Sequence, residues 1–194
     1  MFGWLKRKAS ENRQVKDQVV AGVSDETARY MMGIKGALGG LPDAMLNDPF
    51  VIGIIAMHAA VTLKVATNDQ ASNVLVESTM IAAVQRTFAE KRLERHEAIA
   101  VLIRFKNNPE YAKAIQVVTL ILGALYGRQD LAHDPLIVEA RARVTQMPRA
   151  FKEAFGTTEA EQVAYLLTGS QVIDPLKARY GRREQRLTPS SERT

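Results

Sequence analysis

Apolar residues recur along this chain at spacings of three and four, and no stretch between Gly or Pro turn signals sustains the strict alternation of a half-buried strand. The pattern therefore predicts an all-α protein, a single compact bundle of about seven or eight helices with short connections. Asx-Pro pairs punctuate it at Asp48-Pro49, Asn108-Pro109, Asp134-Pro135 and Asp174-Pro175. An Asp or Asn side chain can accept from the free amides of a first helical turn, and proline there lacks an amide and has a preset φ. Four helix starts are expected at these pairs. Ser24 and Thr157 or Thr158 are further N-cap candidates, the threonines standing just before EAEQVAYLL.

One or two more helices are expected between Val74 and Lys106. There the run EKRLERHE, residues 90–97, is either a solvated helical stretch or the turn of a helical hairpin. Gly39-Gly40 followed by Leu41-Pro42 is a strong helix stop, and Gly33, Gly36 and Gly40 would share one face and permit close packing if the helix continues.

The most apolar run is DPFVIGIIAMHAAVTLKVA, Asp48 to Ala66, with one histidine and one lysine. A membrane span needs about 20 predominantly apolar residues. This run opens on Asp48-Pro49 and meets Lys64 before Asn68-Asp69 closes it, so it reads as a core helix. The second apolar run, Ala114 to Tyr126, is shorter and is read the same way. No secretory pattern precedes them, since KRK passes directly into polar ENRQVKDQ, and a cytoplasmic protein is expected. In the first run Gly53, Ala56, Ala60, Lys64 and Thr67 fall on one stripe, which sets His58 on the opposite side with Val51, Ile55, Thr62 and Val65. His58 is expected to be a neutral core histidine bonded to Thr62, with a ligand pocket around His58 and Thr62 as the alternative.

Other chemistry is sparse. With no cysteine there is no disulfide, thiolate metal site or cysteine nucleophile. The three histidines, His58, His96 and His133, stand in no metal-binding spacing, so neither a metal nor another cofactor is expected. The glycines from Gly33 to Gly40 lack a Gly-Lys-Ser/Thr or dinucleotide signature, and Ser170 in LTGSQV lacks a nucleophile elbow, as Ser78 lacks a base.

Charge changes the picture at the ends. Residues 1–18 hold five basic and two acidic side chains, 175–194 hold six and two, and 19–174 hold fifteen and seventeen. The net +5 thus belongs to the ends of the chain, not to its body. This divides the chain into a basic N-terminal segment (1–18), a helical domain (19–174) and a basic C-terminal helix with a disordered tail (175–194). Phe2, Trp4 and Leu5 stand beside Lys6, Arg7 and Lys8, a combination suited to a bilayer interface with anionic headgroups. Arg179, Arg182, Arg183 and Arg186 would form a second basic face for lipid or nucleic-acid phosphates.

The reading is a non-catalytic helical interaction or adaptor protein, held loosely to the inner face of an anionic membrane by its ends and engaging a protein partner that the sequence does not identify. A small helical enzyme or ligand binder with a pocket near His58 is the first alternative. A nucleic-acid accessory protein is the second, set lower by the acidic body and the lack of a recognisable binding motif. A homodimer through the Ala-rich and Gly-rich stripes is a further expectation.

Overall fold

A computed structural model describes residues 2–40 and 43–180, with side chains from 14 to 40, 43 to 150 and 152 to 180. Among the described residues every regular element is helical. The α-helices are α1 (Phe2–Leu38), α2 (Pro49–Ala66), α3 (Asn73–Thr87), α4 (Arg95–Phe105), α5 (Pro109–Leu125), α6 (Pro135–Gln146), α7 (Arg149–Phe155), α8 (Glu159–Thr168) and α9 (Asp174–Tyr180). A π-turn, Gly169–Ile173, joins α8 to α9 without a break, so the two form one rod.

Three of the Asx-Pro pairs open helices as their chemistry requires. Asp48 Oδ1 accepts from the Phe50 amide at 2.8 Å, Asn108 Oδ1 from Glu110 at 2.9 Å and Asp134 Oδ1 from Leu136 at 2.9 Å. Thr158 caps α8 in a reciprocal box: its Oγ1 accepts from the Glu161 amide at 3.2 Å while Glu161 Oε2 accepts from the Thr158 amide at 2.9 Å. EKRLERHE is the turn of the α3–α4 hairpin, with Arg92 in the left-handed region (φ 50°) and Glu94 as the N-cap of α4.

Two expected starts are corrected. Ser24 lies inside α1, where its hydroxyl donates back to Val20 O at 2.6 Å instead of capping a new helix. Asp174-Pro175 opens no new rod, because the Asp174 amide bonds five residues back to Gly169 O. A proline inside a helix lacks a donor and clashes with the carbonyl four residues earlier. The π-turn immediately before Pro175 is the local rearrangement that lets the helix run on.

α1 ends as the sequence indicates, on Gly39 (φ 76°), with the Gly40 amide bonded to Lys35 O at 3.0 Å and the Gly39 amide to Gly36 O at 3.4 Å. This is a Schellman stop, and its positive φ is one that glycine adopts without steric cost. The close packing expected at the upstream glycines is corrected: a Cβ built on Gly33 or Gly36 would meet nothing within 4 Å.

Contacts group the chain into two compact units. The first comprises Met1–Gly33 and Asp43–Gln116, the second Ile34–Pro42 and Val117–Thr194. In the first, α2 packs on α3 and α4 and is its centre. Seven consecutive residues, Phe50 to Ala56, are buried, and two full turns cannot be buried unless neighbours cover every face. α2 is also the described helix long and apolar enough to cross a membrane, but 56% of that window is buried inside the protein, the state of a core helix. The second unit packs α6 and α7 on α8, around Ile137, Val144, Val163, Leu167, Val172 and Leu176.

Candidate functional site

His58 sits in the middle of α2 and is 5% exposed. The small stripe on the far side of the helix explains why. Gly53 lies so close to α5 that an added Cβ would come within 2.7 Å of Ala114 Cβ and 2.9 Å of Tyr111 O. Backbone meets backbone on that side, and His58 is turned toward α1. Its Nδ1 is 3.1 Å from Thr27 Oγ1 and 3.5 Å from Thr62 Oγ1, and its ring stacks on Tyr30 with centroids 4.4 Å apart.

The Thr27 hydroxyl also lies 3.0 Å from Val23 O. One hydroxyl proton serves one acceptor, so the arrangement that satisfies both contacts has Thr27 donating to Val23 O and accepting from Nδ1–H of His58. That assigns the Nδ1-protonated tautomer from the hydrogen-bond network. Burial disfavours the cation and pushes the histidine down to about 4, so the ring is neutral near pH 7. The described partners of the ring are two hydroxyls and an aromatic face. Such a group fixes the seating of α1 on α2 and is poorly placed to exchange protons with a substrate.

The expected Thr62 partner is present, at the long end of hydrogen-bonding range, while Thr27 is the nearer one. Neither Thr27 nor Tyr30 was singled out from the sequence. Their signal was the stripe Val23, Thr27, Met31 and Ile34 at helical spacing, all buried, which the capping assignment of Ser24 had cut in two.

Open space lies elsewhere in the same unit. A groove of about 520 Å³ runs between α1 and the end of α3, walled by Val20, Ala21 and Ser24 on one side and Ala82 and Gln85 on the other. Leu93 closes one end, and Gln85 Nε2 donates to its carbonyl at 2.9 Å. Arg86 Nε donates to Asp25 across the groove, and that hydrogen bond holds the Asp25 carboxyl below the usual carboxylate range. Beyond this ion pair a second hollow is lined by Ala28, Arg29 and Met32. In the second unit a small recess of about 70 Å³ lies beside the π-turn, against Ser170 and Gln171. None of these three hollows is lined by His58.

The basic ends are only partly described. Phe2, Trp4, Leu5, Lys6, Arg7 and Lys8 belong to α1, but their side chains lie outside the described residues. Gln14 to Gln18 are all exposed, and the first buried residue of α1 among those with described side chains is Val23. Arg179 is exposed on α9, whereas Arg182, Arg183 and Arg186 lie outside the described residues. No group of three or more metal-ligating side chains occurs among the described residues. No protein-family model, curated protein or solved structure matches the chain.

Proposed function

We propose that this is a non-catalytic helical interaction protein that reaches an anionic membrane face through its basic ends. The supporting observation is the exposure of five consecutive α1 residues, Gln14 to Gln18. Five residues span more than a full helical turn, so a helix exposed over all of them presents no buried face there. The same unbroken helix carries Phe2 to Lys8 about 9–18 Å beyond Gln14 at 1.5 Å per residue. Aromatic and aliphatic side chains there can enter an interface while Lys6, Arg7 and Lys8 meet headgroups. At about 1 kcal/mol per basic residue the three contribute on the order of 3 kcal/mol at low salt, a reversible attachment.

Co-sedimentation of the full chain with anionic and neutral vesicles, at low and physiological salt, tests this. The expected result is binding to anionic vesicles that weakens with salt, persists against duplex DNA competitor, and falls at least about tenfold when residues 1–8 are deleted. Equal binding by the deleted protein, or none to anionic vesicles, overturns the reading. Loss of vesicle binding to the DNA competitor points instead to nucleic acid.

A further inference from the structure

We infer that two copies of this chain pair antiparallel through the outward face of α1, about a two-fold axis between Thr27 and Ala28. The inference concerns a different part of α1 from the membrane reading and does not depend on it. Four exposed positions, Gly22, Glu26, Arg29 and Gly33, follow one another at spacings of four, three and four. That is the period of a helix-pairing seam. It lies opposite the buried Val23–Thr27 stripe, and a Cβ built on either glycine meets nothing within 4 Å.

The order of residue types on this seam is its own complement. An antiparallel partner centred between Thr27 and Ala28 sets each Gly22 opposite the other copy's Gly33, and each Glu26 opposite the other copy's Arg29. A two-fold interface demands this reciprocity, since whatever one patch offers the same patch must accept. Glu26 and Arg29 contact each other within one helix at 2.7 Å, and their side chains remain 52% and 73% exposed. In the pair they form a four-membered network of alternating sign at the axis, which selects the antiparallel register because a parallel one sets like charges together.

A second observation fits the same register. Met32 is 66% exposed, unusual for a long apolar side chain. About the stated axis it comes level with residue 23 of the other copy, between Ala21 and Asp25. Ala21, Asp25 and Met32 border the hollows on one flank of α1. Antiparallel two-fold pairing brings that flank beside the same flank of the partner, so each Met32 lies along the edge of the seam beside the other copy's Ala21 and Asp25. Gly22 and Gly33 let the backbones approach closely enough for it to be covered there.

Sedimentation equilibrium of the full chain tests the charge pattern. The wild type is expected to dimerise, Glu26→Arg or Arg29→Glu alone to weaken association about tenfold or more, and the double swap to return it to within about threefold. Because all these side chains are exposed, circular dichroism is expected to stay unchanged throughout. A monomeric wild type, or a double swap as weak as the single variants, overturns the inference.

Cross-linking tests the register, helped by the absence of native cysteine. Gly22→Cys with Gly33→Cys in one chain is expected to give a covalent dimer on mild oxidation. Either substitution alone is not, because the register offsets each position from its own copy by eleven residues, about 16 Å along the helix, and a disulfide needs Cα atoms within about 7 Å. Efficient cross-linking by a single variant overturns the antiparallel arrangement.

Discussion

Two glycines on two helices of the same unit have opposite meanings. Gly53 in α2 is where backbone touches backbone, with Tyr111 O and Ala114 Cβ occupying the space a side chain would need. Gly33 in α1 is exposed and has nothing within 4 Å of that position. At Gly53 the neighbour is already present, and glycine is the residue that admits it. At Gly33 the neighbour lies outside this chain, or there is none. The same contrast separates whole faces: α2 is buried over two full turns, while α1 buries Val23, Thr27, Met31 and Ile34 and turns Gly22, Glu26, Arg29 and Gly33 outward.

The largest effect tests the inner half of that contrast through His58. Its folded value, about 4, lies below the ordinary 6.5. Between those values the unfolded chain binds a proton that the folded chain excludes, so stability rises with pH across the window and is lost as pH falls through it. Below about pH 4 both states are protonated and no further loss arises from this group. A depression of this size corresponds to roughly 3 kcal/mol at full extent. His58→Gln removes the titration while keeping a donor for Thr27. The wild type is therefore expected to lose stability relative to His58→Gln between pH 6.5 and 4, measured by urea denaturation at each pH. A His58 imidazole resonance titrating near 6.5 in the folded protein would contradict the buried, neutral assignment.

A smaller effect is expected at Gly53. Alanine in a helix interior is favoured over glycine by about 0.5–1 kcal/mol. Against this, overpacking a close contact costs about 1–3 kcal/mol, and Tyr111 O is main chain of α5 that cannot rotate away. The clash outweighs the gain in helix propensity. Gly53→Ala is expected to lower the denaturation midpoint by an amount equivalent to about 1–2 kcal/mol, and an unchanged or raised midpoint would mean that α2 and α5 are less closely apposed.

How much of this was legible depends on how local each feature is. The caps at Asp48, Asn108, Asp134 and Thr158 were readable because donor and acceptor lie within three residues of each other. Helical spacing alone gave the face of His58 and its neighbour Thr62, one turn away. Thr27 and Tyr30 lie 31 and 28 residues earlier, and no local spacing brings them to the ring. Ser24 misled because a hydroxyl suits an N-cap and also bonds back to a carbonyl inside a helix, and only the continuation of α1 decides between them. Pro175 misled in a related way, since the π-turn lets the chain keep a helix that proline ordinarily ends. The glycine stripe was visible as a stripe, but what faces it is a property of the neighbour, and a spacing carries no information about that.

The smallest effect has the opposite sign and tests the outer half. Gly33 is in a helix interior with open space beside it, so Gly33→Ala is expected to raise the denaturation midpoint by about 0.5–1 kcal/mol through reduced freedom of the unfolded chain. Concentration sharpens the result. In dilute monomer only the helix-propensity gain operates. In the antiparallel pair each new methyl stands opposite Gly22 of the other copy, widening the seam and uncovering Met32, so the gain shrinks as protein concentration rises. A gain that holds at every concentration means this face is bare in solution, and a gain that fades on concentrating the sample means the second copy supplies at Gly33 the neighbour that α5 supplies at Gly53.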